Sequence, residues 1–165
     1  MHILLATDAD WIVDDVVAAL GGDDVHFTVC RDGRAVAGEV EKQLPDLAIL
    51  DLQIGSMGGM AVTMALRLDE SAGAVEHVRV LMLLDRAADI HLARRSGAEG
   101  WLIKPLDSLR LRRAADALAV GARYDEGLPT DAPDVEPMVP LPENPDDTVG
   151  SSAPEPAEEE PATAG

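Results

Sequence analysis

Basic residues are scarce: 13 lysines and arginines stand against 31 aspartates and glutamates, a formal net charge of −18. A chain this acidic repels phosphate backbones, which argues against a nucleic-acid partner. Cysteine is nearly absent. The single one, Cys30, excludes a disulfide framework, and it sits in an alternating apolar segment where a small buried hydrophobe is expected. No segment approaches the roughly 18 consecutive apolar residues that a membrane span needs, and no basic stretch precedes the first apolar run. The expectation is a soluble, cytoplasmic protein without direct membrane insertion.

What the chain does have is unevenly placed. From Asp125 to Gly165 there are 12 acidic residues, no basic ones and nine of the 11 prolines, which leaves 19 acidic against 13 basic residues in positions 1 to 124. That C-terminal stretch has little it could bury to offset the cost of ordering it, so a disordered acidic tail is expected over 124–165. The 47% apolar content is enough for one core in the remainder, a single domain over 1–123.

Within that domain, short apolar runs alternate with segments of helical period. His2 to Ala6 reads as a strand; Val13, Val17 and Leu20 mark one face of a helix starting at Asp10 and stopped by Gly21-Gly22. Val25, Phe27 and Val29 alternate as a second strand, and Val36, Val40 and Leu44 line a helix ending before Pro45. Leu47 to Leu50 is continuously apolar, as a strand covered on both faces should be. A helix near Met60 to Leu68, a run from Val78 to Leu84, a helix over Asp89 to Ser96 and a strand at Trp101 to Ile103 follow. Asp107 caps a last helix whose face carries Leu111, Ala115, Leu118 and Ala122. Five strands alternating with five helices predict a parallel sheet wound on both sides.

In such sheets the ligand site lies beyond the carboxyl ends of the strands. Asp51 ends the third strand, Thr7-Asp8 follow the first and Lys104 ends the fifth, so two carboxylates and an ammonium point at one crevice. Oxygen ligands with open water positions suit Mg2+, and a carboxylate beside Mg2+ and a lysine can attack phosphorus.

The order of Asp8 after strand one, PDLAILDLQIGSMGG around Asp51 and GAEGWLIKPLD around Lys104 resembles the receiver domain of bacterial response regulators, over positions 2 to about 123. The resemblance implies a flavodoxin-like (βα)5 fold of strand order 2-1-3-4-5 and a signalling domain rather than an enzyme. It implies Asp51 as phosphoacceptor, Lys104 as the phosphate-site lysine, a Mg2+ site of Asp8, Asp51 and the Gln53 carbonyl, Trp101 as the aromatic switch residue and a histidine kinase as partner. A half-buried edge aromatic explains Trp101 equally well.

Two positions depart from the family pattern. Thr7 stands where receivers usually carry a second acidic residue, which predicts weak Mg2+ binding, and Asp10 is the one candidate to compensate. The hydroxyl residue that ends strand four in the family falls on Leu84 (or Met82 without a gap), and no Ser or Thr occurs between Val78 and Arg95. If Leu84 borders the open site, Leu84→Thr should be tolerated. The favoured reading is therefore an atypical stand-alone receiver that works by protein contact, with weak or absent phosphorylation at Asp51. Its alternatives are a phosphorylation-dependent two-component regulator charged by a histidine kinase, and, from a further resemblance of Leu83-Leu84-Asp85-Arg86 to small actinobacterial receivers, an accessory subunit of a larger complex such as the respiratory NADH dehydrogenase. A flavin-dependent reductase shares the fold but lacks a hydroxyl-rich phosphate loop here. Arg94, Arg95, Arg110, Arg112 and Arg113 form a candidate partner face that would dock something acidic, a partner surface or the chain's own tail.

Overall fold

The computed structural model describes residues 1–127. In these, β1 (His2–Ala6), β2 (His26–Cys30), β3 (Leu47–Asp51), β4 (Val80–Leu84) and β5 (Gly100–Ile103) alternate with α1 (Asp10–Leu20), α2 (Ala35–Lys42), α3 (Gly59–Ser71), α4 (Ile90–Ser96) and α5 (Ser108–Ala119). A sixth strand, β6 (Tyr124–Asp125), pairs parallel with β5 and completes a sheet of order β2-β1-β3-β4-β5-β6. The fold is the flavodoxin-like receiver fold, with one strand more than expected. Residues 124–127, read from composition as the start of a disordered tail, instead lie along the sheet edge; the rest of that expectation falls on 128–165, outside the described residues.

Period-two alternation divides the core. Ile3, Leu5, Leu47, Ile49, Leu81 and Leu83 face one way and pack on Ile12 and Val16 of α1 and Leu111 and Leu118 of α5. Leu4, Ala48, Leu50, Val80, Met82 and Leu84 face the other way, toward Val36, Val62, Leu66 and Ala93 of α2, α3 and α4. Every residue of β1, β3 and β4 is buried, as continuous apolar runs require. By contrast β2 lies at the edge and leaves Val29 exposed.

Two helix faces differ from the sequence reading. In α1 the buried set is Ile12, Val16 and Ala19 and Val17 is exposed, a rotation of one residue that periodicity alone does not resolve because both sets are apolar. In α2 the helix ends at Lys42, so Leu44 leaves the apolar face and is exposed. The Asp107 cap is present, its carboxylate accepting from the Leu109 and Arg110 amides. Cys30 is buried, and burial followed by the nearby Glu39 pushes its thiol pKa up, which suits an inert core residue.

Candidate functional site

The strand order brings β1, β3 and β4 side by side, so their C-terminal residues share one crevice with the end of β5. Asp51 is buried in it, 2% exposed. One carboxylate oxygen accepts from Lys104 Nζ at 2.7 Å and from the Gln53 amide at 3.1 Å. The other accepts from the Thr7 hydroxyl at 3.0 Å. A buried charge is tolerated only when it is paired and hydrogen-bonded, and these three donors meet that condition. Lys104 is presented by a turn whose Lys104–Pro105 peptide bond is cis, and its amide is tied to the Leu84 carbonyl at 2.8 Å.

Thr7 thus has a role that the sequence reading lacked. It is fully buried, and its hydroxyl donates to the Asp51 oxygen that Lys104 does not contact. Asp8 is exposed and accepts from the Gly55 amide at 3.3 Å. Gln53 donates its backbone N–H to Asp51. Asp10, the candidate to compensate for Thr7, is instead paired with Arg31 at 2.6 Å.

The loop between β3 and α3 is pinned to its neighbours. The Ser56 hydroxyl donates to Asp32, and this bond, then the Arg34 amide, holds the Asp32 carboxyl below its ordinary pKa. A side chain at Gly59 would meet the Asp51 carbonyl at 2.7 Å, so the first residue of α3 must be glycine for the loop to close over β3.

Two residues at the crevice were not anticipated. Asp85, directly after β4, accepts from Lys104 Nζ at 3.2 Å with its side chain 41% exposed. Lys104 also lies 5.9 Å from the centre of the Trp11 ring, a cation–π contact. The signal for Asp85 was present in the sequence: it is the acidic residue that ends an apolar run, as Asp51 is. The crevice then holds Asp51 and Asp85 against one ammonium.

Three protein donors meet the two oxygens of Asp51, and Thr7 offers it a hydroxyl rather than a second carboxylate. Asp8 and Asp51 are the acidic side chains that a Mg2+ would use here.

Leu84 and Trp101, the positions read as the switch pair, are both fully buried in one cluster. Leu84 therefore does not border an open site. Trp101 is not half-buried either, because the segment after β6 covers it: its indole N–H donates to the Glu126 carbonyl at 2.8 Å. The Glu126 carboxylate is gripped by the Arg110 guanidinium and by the Ile103 amide at 2.6 Å. The Arg110 guanidinium pKa is pushed up by that pairing. Of the other candidate face residues, Arg112 turns away to the Ala19 carbonyl, while Arg94, Arg95 and Arg113 are at least partly exposed and make no ion pair among the described residues.

The family model for the response regulator receiver domain matches residues 3–116. The chain belongs to that family of signalling domains. This receiver is 32% identical over 108 residues to the transcriptional regulatory protein CseB of Streptomyces coelicolor, covering 64% of this chain and 44% of the relative. It is 30% identical over 106 residues to the DNA-binding response regulator MtrA of Mycobacterium tuberculosis, covering 63% of this chain and 44% of the relative. It thus spans less than half the length of these curated relatives. Among solved structures it superposes on the chemotaxis response regulator CheY4 of Vibrio cholerae with a TM-score of 0.63 at 23% identity, over 71% of this chain and 97% of that one. Among the described residues no helix is long and apolar enough to cross a membrane.

Proposed function

We propose that this receiver acts chiefly through protein–protein contact, with phosphorylation of Asp51 weak or absent. The observation that carries the reading is the way Asp51 is held: Lys104, the Gln53 amide and the Thr7 hydroxyl occupy both of its oxygens, and Asp85 shares the lysine. A nucleophile must free a lone pair, and the phosphoryl oxygens must find cations. Here the one cation is already divided between two carboxylates, and the acidic ligand and hydroxyl residue that assist the reaction in the family are Thr7 and Leu84. On this reading the protein is not an enzyme and its partners are proteins.

The second reading, a two-component regulator charged by a histidine kinase, is favoured by one observation: Lys104 does reach Asp51, at 2.7 Å. The accessory-subunit reading, with the NADH dehydrogenase complex as partner, is favoured by no feature of the site.

Incubation of the full chain with acetyl phosphate and Mg2+, followed by intact mass, separates the two. The contact reading expects little or no gain of one phosphoryl group. Rapid stoichiometric gain that Asp51→Asn abolishes would replace it with the second reading.

A further inference from the structure

We propose that the outer edge of β5 is a receptor for an extended protein segment bearing a glutamate, and that the chain's own Tyr124–Glu126 occupies this receptor as an internal competitor. The proposal rests on the contact reading above and names the chemistry of the partner.

The edge is built to accept a strand. Gly100 pairs with Tyr124 and Trp101 with Asp125, and the Tyr124 amide donates to the Glu99 carbonyl at 3.1 Å. A side chain at Gly100 would meet the Tyr124 carbonyl at 2.9 Å, so the strand is bare where the second backbone comes closest. Beyond the pairing, the donors at this end converge on one residue. The Trp101 indole takes the Glu126 carbonyl, and the Ile103 amide and the Arg110 fork take its carboxylate. Arg110 is itself aimed by the Pro105 carbonyl at 2.9 Å and the Ile103 carbonyl at 2.7 Å. A planar fork, an amide and an indole N–H arranged this way select an extended backbone followed by a carboxylate, the combination by which sheet edges recognise peptides.

The occupant is short. Strand β6 has two residues, Asp125 is exposed, and the segment is joined to α5 through Gly121 at a positive φ of 79°. Such a strap competes by tethering, at an effective concentration of roughly millimolar, rather than by a large interface. The helices on either side of the edge carry Arg94, Arg95 and Arg113, at least partly exposed and making no ion pair among the described residues, so the charge around the receptor favours an acidic segment.

The test uses the full-length chain and a blocked peptide of residues 122–127, read by the Trp101 indole NMR signal. Glu126→Ala should bind the peptide at least about tenfold more tightly than the wild type, because the internal competitor is gone. A peptide with glutamine in place of its glutamate should not bind, and Arg110→Ala should remove binding in the Glu126→Ala background. Should Glu126→Ala fail to fold, Glu126→Gln keeps the backbone carbonyl and the side-chain shape and serves in its place. A folded variant that takes up no peptide would reduce Glu126 to a structural cap and overturn the proposal. Concentration-dependent dimerisation of the wild type that Glu126→Ala abolishes would assign the edge to a second copy and also overturn it. Asp51 takes no part in these measurements, so a failure of the contact reading under acetyl phosphate stays distinguishable from a failure here.

Discussion

At each end of the sheet one cation lies between two carboxylates, and the two ends use the arrangement differently. Beneath the N-terminal ends of β4 and β5, Arg67 pairs with Glu70 and makes two bonds to Glu99, at 2.7 and 2.8 Å. The main chain completes every partner there. Glu70 accepts from the Val78 amide and Glu99 from the Val80 amide, while Arg67 donates to the Val78 and Gly97 carbonyls. At the opposite end Lys104 lies between Asp51 and Asp85, but among the described residues Asp85 is bound by that side chain alone, and Asp8 faces solvent. A cradle closed by backbone cannot exchange partners without opening the strand ends. One closed by side chains can, and only the second is placed where ligands reach this fold.

The largest effect is expected from Arg67→Ala, which leaves Glu70 and Glu99 with only the His77 ring between them. It should cost about 3 kcal/mol in urea denaturation. A loss below about 1 kcal/mol would show that the lower cradle is an ordinary surface cluster. Amide substitutions then separate the two ends directly. Glu99→Gln should cost about 2 kcal/mol through its charged hydrogen bonds. Asp51→Asn, which relieves two carboxylates sharing one ammonium, should fall within about 0.5 kcal/mol of the wild type or stabilise it. Equal losses at both positions would erase the distinction.

Leu84→Thr belongs to the same series. The sequence made it look harmless at the rim of a site, but Leu84 is fully buried among Met82, Ile90 and Trp101. It should therefore cost about 2 kcal/mol, from lost packing and a buried hydroxyl.

The smallest expected effect is one of pH. Burial raises the Glu70 carboxyl, but the Val78 amide, His77 and Arg67 outweigh it and hold the pKa below the ordinary 4.5. A carboxylate with a depressed folded pKa stabilises the fold above its unfolded value, and that contribution is lost as pH falls below about 4.5 and through the folded value. Glu70→Gln should flatten the acid limb of the stability curve in that window and leave its shape at higher pH unchanged. An unaltered acid limb would mean that the lower cradle is not what acid dismantles.

The fold was legible because its signals were redundant. Continuous apolar runs at His2 to Ala6 and Leu47 to Leu50, each followed by a helical period, leave few topologies, and Asp51 and Lys104 stand out as charges ending such runs. The departures came where the signal was local or ambiguous. Ile12 and Val13 are both apolar, so the phase of α1 is decided by packing. Thr7 could be read as the absence of an acid but not as a clamp, since its partner lies 44 positions away. Glu126 was hidden by composition. It is the second of 12 acidic residues in a proline-rich stretch, and only the course of the chain after α5 brings it to Arg110 and Trp101.

Asp51, held by Thr7, Gln53 and Lys104, and the Trp101 edge, held by Glu126, are expected to be uncoupled. Titrating the full-length chain with beryllofluoride in the presence of Mg2+ while following the Trp101 indole NMR signal tests it most directly. The Trp101 signal should stay in place through the titration. A saturable shift at stoichiometric beryllofluoride, absent in Asp51→Asn, would show that the site binds phosphoryl mimics and speaks to the edge, and would contradict it.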